Sequence, residues 1–156
     1  MDTLIVIGAK YLIYIIAFLA VIATLLSERT VRCGIVKLAL LSFPIAFLAS
    51  LIAGQLFYDT RPFVVEHITP LIPHEADNGF PSDHTLFAMV AAAIIFVYSR
   101  KLGVLLGILG ILIGVSRVMA KVHYPLDIVA SIAIAISATS FAWIILKTLR
   151  KNRHLC

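Results

Sequence analysis

Three short clusters hold most of the reactive polar side chains outside the basic stretches: "YDTRPF" at 58–63, "FPSDHT" at 80–85 and "SRVMAKVHYPLD" at 116–127. In the third, His123 and Asp127 stand four apart, with Pro125 suited to the first turn of a helix between them. A carboxylate at that spacing can accept the imidazole Nδ1–H, which leaves Nε2 unprotonated and directed outward as a nucleophile. In the second, Ser82 after Pro81 is a favoured N-cap, so a helix beginning at residue 83 would turn free backbone N–H groups toward an anion. His84 stands on that first turn beside any anion held there. Asp83 suits the helix dipole and reads either as a capping acid or as a member of the same anion site. Arg61 and Arg117 add fixed, planar positive charge for phosphate oxygens. Two arginines, a helix N-terminus and two histidines are the parts for phosphoryl transfer without a metal or other cofactor. One histidine attacks and the other protonates the leaving oxygen.

The elements that must position these groups are apolar. The chain has 156 residues, 62% hydrophobic and 13% charged, with mean hydropathy +1.06; a soluble domain is about half apolar and a quarter charged. Five apolar runs, 4–26, 34–58, 85–98, 102–118 and 126–146, compare with the roughly 20 residues that a membrane span needs. The third is short unless residues 81–84 join it, and the fourth is at the lower limit. The expectation is an all-α integral membrane protein, a bundle of five transmembrane helices forming a single membrane-embedded domain over 1–156. Asp2 in place of a basic start, and the length of the first run, argue against a signal peptide.

Basic residues set the orientation. "SERTVR" (27–32) with Lys37, "SRK" (99–101) and "KTLRKNR" (147–153) fall at alternate ends of the runs and so on one side, which is the cytoplasm by the positive-inside rule. The net charge of +5 therefore reads as membrane orientation rather than as nucleic-acid binding. The N-terminus is expected outside and the C-terminus inside, with Cys33 and Cys156 on the reducing side, where a disulfide is not expected. Arg61, Arg117, Lys121 and Lys10 break the pattern by lying in the outer half, and ionisable groups at membrane depth mark function. A transporter or channel-like protein would instead place them near the midplane of several spans. Gly103/Gly107 and Gly110/Gly114 form two small-xxx-small pairs that let helices approach, and Pro44 is expected to kink the second span.

The clusters resemble the three motifs of the type 2 phosphatidic acid phosphatase superfamily: "RP" at 61–62, "PSDH" at 81–84 and "SRVMAKVHYPLD" at 116–127, in the same order and with the spacing SR-x5-H-x3-D. The resemblance spans residues 61–127. It implies that His123 is the nucleophile that becomes phosphohistidine, that Asp127 orients it, and that His84 is the general acid. Arg61, Arg117 and Ser82 would bind the phosphate. Two positions depart from the family pattern: Gly54 stands where the first motif expects lysine, and Asp83 replaces the glycine of PSGH. Asp83, "RPFV" and "HEADNGFPSDHT" are similar to the bacitracin-resistance type of undecaprenyl diphosphatase. This implies a polyprenyl diphosphate in the bilayer as substrate, at the outer face of the plasma membrane, with phosphatidic acid or phosphatidylglycerophosphate as the second choice.

Lys10 and Gly54 both lie roughly 6–9 Å beneath the outer rim at 1.5 Å per residue. A glycine at 54 leaves room for a neighbouring side chain, so Lys10 either supplies the missing charge for the phosphate or snorkels to the headgroups, with Lys121 as another candidate for the charge. In the connecting loop, His74, Glu75 and Asp77 fit no strong metal motif and read as solvated; for a diphosphate substrate the loop and Arg61 would lie near the second phosphate. A glycosylation or thiol-accessibility tag at the N-terminus is expected to report outside, and one after Cys156 inside. The reverse result would put all three clusters on the cytoplasmic side.

Overall fold

Long uninterrupted apolar sequence makes the helices, and short polar breaks end them. The computed structural model describes residues 2–152, so Arg153 and Cys156 lie outside the described residues. In order the helices are α1 (Asp2–Lys10), α2 (Leu12–Leu26), α3 (Arg29–Leu56), α4 (Pro62–Val65), α5 (Asp83–Tyr98), α6 (Arg100–Met119) and α7 (Pro125–Asn152). The α2–α3 corner is closed by Arg32, whose Nη2 donates to the Leu25 and Ser27 carbonyls at 2.6 and 3.1 Å, satisfying acceptors left over at a helix C-terminus. A single extended residue, Ser99, separates α5 from α6, so the chain reverses there and the two helices form a tight antiparallel pair.

α5 is the centre of the bundle. Thr85, Leu86, Ala88, Met89, Val90, Ala92, Ile94 and Ile95 are buried along its 16 residues, and α2, α3, α6 and α7 all pack against it. The outward faces of the surrounding helices carry exposed Phe18, Leu40, Ile52, Ile108 and Phe141. A chain apolar both inside and outside suits lipid rather than water.

Among the described residues three helices, α3, α6 and residues Pro125–Leu149 of α7, are long and apolar enough to cross a membrane. The α1–α2 pair makes a fourth if its 44° bend is counted within one span. Two expectations are thus modified. The run 4–26 is broken at Tyr11 rather than continuous. The run 85–98 gives a helix of about 24 Å, short of the roughly 30 Å hydrocarbon core, and its apolar residues meet neighbouring helices. α3 continues through Pro44.

The glycine pairs also divide. A Cβ on Gly103 would collide with the Phe96 backbone, one on Gly110 would come within 2.7 Å of Met89 Sδ, and one on Gly114 would meet Ile128 and Thr85. Gly107 faces open space. Gly103→Ala is therefore expected to destabilise the bundle by about 1–3 kcal/mol through overpacking, whereas Gly107→Ala should be neutral or slightly stabilising because alanine is the better helix former. Thermal unfolding of the two variants in detergent checks the contrast.

Candidate active site

The antiparallel order of α3, α5, α6 and α7 brings four helix ends together: the C-termini of α3 and α6 and the N-termini of α5 and α7. At this end His123, in the α6–α7 connection, faces Asp127 in the first turn of α7. His123 Nδ1 lies 3.1 Å from Asp127 Oδ2, and the Tyr124 backbone N–H donates to the same oxygen at 2.9 Å. The four-residue spacing yields this contact because Pro125 starts α7 directly after the tyrosine. With Nδ1–H given to the carboxylate, Nε2 is the bare nitrogen, and it faces Arg61 Nη1 at 3.4 Å. Burial holds His123 below the ordinary imidazole range despite the opposing hydrogen bond to Asp127. The ring is therefore neutral at neutral pH, as a nucleophile requires.

Arg61 is buried, and each part of its fork is engaged. Nη1 donates to Val122 O at 2.8 Å, Nη2 to Asn78 O at 3.2 Å, and Nε to Asp77 Oδ1 at 2.7 Å. Burial would raise the Asp77 carboxyl, but the hydrogen bond and charge of Arg61 outweigh it and hold it below the usual carboxylate range. Arg117, near the end of α6, donates from Nη1 to Ala9 O at 3.2 Å and from Nη2 to His74 Nε2 at 3.1 Å. Its Nε–H is buried and has no partner among the described residues. Burial, followed by the charges of Arg61 and Arg117, lowers the His74 pKa, so His74 is a neutral acceptor toward Arg117. The His74 ring also stands edge-on to that of His123, with centroids 6.2 Å apart.

At the head of α5, Ser82 is fully buried. Its carbonyl accepts from Leu86 N at 2.9 Å, as the first intrahelical bond, and from Ser131 Oγ, also at 2.9 Å. Ser131 Oγ also approaches the Asp127 carbonyl at 2.7 Å, so one hydroxyl ties the start of α5 to the start of α7. Thr85 Oγ1 donates to Ser82 Oγ at 3.3 Å. Asp83 is exposed, and His84 is half-buried, close enough to Arg117, His123 and His74 to feel their charges.

The loop before α5 is held by Asn78. Its amide donates to Gly54 O and Phe57 O at 2.8 and 3.1 Å, and its Oδ1 accepts from the backbone N–H groups of Asp59 and Phe80 at 2.9 and 3.0 Å. Together with the Phe80 carbonyl, which would lie 3.0 Å from a Cβ at Gly54, this fills the space beside that glycine.

Lys10 does not enter that space. It is exposed, with Nζ 5.4 Å over the Tyr11 ring. Lys121 also points away, paired with Glu66 at 3.1 Å on the exposed surface. The structure thus gathers His123, Asp127, Arg61, Arg117, Ser82 and His84 at one end of the bundle and leaves Lys10 and Lys121 outside the cluster. Sequence reasoning missed Asn78 and Ser131 and did not place the loop's His74 and Asp77 on the two arginines, although Asp77 is exposed as expected. Among the described residues no three His, Cys, Asp or Glu side chains gather closely enough to hold a metal ion.

A model of the PAP2 superfamily matches residues 35–151. The bacitracin transport permease protein BcrC of Bacillus licheniformis is 33% identical over 136 residues, covering 86% of this chain and 66% of that protein. The undecaprenyl-diphosphatase BcrC of Bacillus subtilis is 42% identical over 80 residues, covering 51% of this chain and 42% of that protein. The chain therefore spans less than two thirds of the length of either relative. The crystal structure of Aquifex aeolicus LpxE shares the fold with a TM-score of 0.75 at 24% identity, over 91% of this chain and 84% of that one.

The two kinds of cation in this region should respond differently to mutation. Arg61→Ala removes charged hydrogen bonds from a buried fork and is expected to cost about 2–4 kcal/mol. Arg61→Lys should recover less than half of that, because an ammonium cannot reproduce the fork. Lys121→Ala breaks an exposed pair and should cost under about 1 kcal/mol. Thermal unfolding in detergent ranks the three variants.

Proposed function

The chain belongs to the PAP2 superfamily, and from that membership we propose that it is a membrane lipid phosphatase that converts undecaprenyl diphosphate to undecaprenyl phosphate and inorganic phosphate. The observation that carries the reading is the buried His123–Asp127 pair, which holds Nδ1 and leaves Nε2 bare beside Arg61. The identity of the substrate is supported by the relative named undecaprenyl-diphosphatase, 42% identical over the stretch it shares.

In the proposed reaction the His123 Nε2 lone pair attacks the terminal phosphorus. The bond from phosphorus to the bridging oxygen breaks, and His84 gives that oxygen its proton as the lipid monophosphate leaves. Water then attacks the phosphohistidine. His84 takes a proton from that water, the P–N bond breaks, and inorganic phosphate is released with His123 restored. Asp127 keeps the imidazole in the required tautomer and balances the charge that develops on it. Arg61, the free Arg117 Nε–H, the N–H groups at the start of α5 and Ser82 at its N-cap position bind the phosphoryl oxygens, with Asp83 at the rim.

In the bilayer, α1–α2, α3, α5, α6 and α7 make five crossings, with α5 sheathed by the others and the polar end at the outer face of the plasma membrane. A lipid whose tail stays among the hydrocarbon chains presents its phosphate at that depth.

Phosphate release from undecaprenyl diphosphate by the purified full chain tests the reading. His123→Ala should abolish turnover, and His84→Ala should slow it by about 10²–10⁴-fold, the usual worth of a general acid. Undecaprenyl diphosphate should be preferred over phosphatidic acid and phosphatidylglycerophosphate in the same assay. Near wild-type turnover by His123→Ala would sink the mechanism.

A further inference from the structure

The two arginines at this end of the bundle hold different kinds of partner. Arg61 gives Nε to the Asp77 carboxylate and both terminal nitrogens to carbonyls, so every nitrogen of its fork is engaged. Arg117 gives Nη1 to Ala9 O, while its Nε–H, although buried, has no partner among the described residues. The third nitrogen, Nη2, lies 3.1 Å from His74 Nε2. Nε and Nη2 form one edge of the planar guanidinium, and such an edge takes two phosphate oxygens side by side. One half of that edge is unpaired, and a histidine covers the other.

An arginine can only donate, so His74 Nε2 is the acceptor and the proton of the neutral ring sits on Nδ1. Nδ1 faces Glu75 O at 3.4 Å and Asp77 Oδ1 at 4.0 Å, both long contacts. The loop around His74 is anchored by other residues. Ile72 is buried in a cluster with Ala9, Ala120 and Val122, Leu71 N donates to Ala120 O at 3.3 Å, and Asp77 is held by Arg61. His74 can therefore leave Arg117 by turning its side chain while the backbone stays in place. Its ring also stands edge-on to that of His123, with centroids 6.2 Å apart. An anion that reaches both His123 and the Arg117 edge meets it.

We propose that His74 is a resident ligand of Arg117 that an incoming phosphate displaces, and that it thereby sets how tightly the site holds phosphate. The proposal rests on the reading of this end as the place where the substrate's phosphate binds. A neutral imidazole makes one hydrogen bond to the edge, whereas a phosphate brings charged oxygens and can make two, so phosphate wins the exchange. Arg61, tied to a carboxylate, has no such replaceable partner. The exchange runs in reverse when the reaction is over: His74 returns to Nη2 as inorganic phosphate leaves, which weakens the hold of the site on its own product.

Steady-state assays of the purified full chain on undecaprenyl diphosphate, with inorganic phosphate or vanadate as the competing anion, test this in His74→Ala and His74→Gln. Alanine offers no acceptor, so both anions should inhibit that variant at concentrations about 3–10-fold lower than in the unaltered chain, the worth of one net hydrogen bond. KM should fall by a similar factor, and kcat should not rise. Glutamine places a carbonyl acceptor near the position of Nε2 and should bring both inhibition constants back toward those of the unaltered chain. A merely structural role for His74 gives the opposite sign, with weaker inhibition and a higher KM in the alanine variant. That result, unchanged inhibition constants, or a glutamine variant no different from alanine would overturn the proposal. If the alanine variant does not fold, diethyl pyrocarbonate labelling of the unaltered chain, read by mass spectrometry, decides. Saturating vanadate should speed labelling of His74 as its nitrogen leaves Arg117, and slower or unchanged labelling counts against the idea. Turnover and vanadate inhibition that His74→Ala leaves as they were remove only this inference, whereas an unaltered chain that releases no phosphate removes the functional reading beneath it as well.

Discussion

A guanidinium buried at the end of an apolar bundle must find acceptors, and Arg61 finds three, in two separate segments of the chain. It takes Val122 O from the α6–α7 connection, and Asn78 O and Asp77 from the loop before α5, while its own backbone starts α4. Leaving any of these groups unpaired at low dielectric would cost more than the bond returns in water. That asymmetry makes the polar end cooperative. The position of His123, one residue beyond the Val122 carbonyl, follows from where Arg61 sits. Asn78 then sets the approach of the loop to α3, and Ser131 sets the approach of α5 to α7.

The apolar part of the molecule serves this end by being rigid. α5 is wrapped on nearly every side, and three of the four α6 glycines let helix or side chain press directly onto the α6 backbone. Close packing fixes the height and rotation of α5, and with them the direction of its N-terminal N–H groups. The loop adds a second layer by placing His74 and Asp77 on the two arginines. The proposed anion site is thus already lined with acceptors, which an incoming phosphate would have to join or displace.

Much of this was readable from the chain, and what was not has physical causes. The positions of α3, α6 and α7 follow from run length, and the His123–Asp127 contact follows from a spacing of four. α5 was harder because a uniformly apolar run looks the same whether lipid or protein surrounds it. Lys10 shows another limit: counting residues along a helix gives depth but not the direction around the axis, so equal depth with Gly54 did not put the lysine beside it. Asn78 reads as a turn former in "NGFP", and nothing local reveals that its amide reaches residues 54 and 57. Ser131 is different. A serine four residues after Asp127, on the same face of an apolar helix, was a visible signal, and it went unread.

The break between α1 and α2 bears on Arg117. Carbonyls in the last turn of a helix lack intrahelical partners, and one of them, Ala9 O, is the acceptor that holds Arg117 Nη1. Arg61 is anchored by a counter-ion, whereas Arg117 is anchored by a peptide dipole and a neutral imidazole. The two arginines are electrically unequal: Asp77 touches Arg61, whereas the carboxylate that acts on Arg117, Asp83, reaches it only through its field. A bend in the first helix thereby leaves Arg117 fixed without a carboxylate in direct contact, and the field at this end of the bundle is asymmetric before any anion arrives.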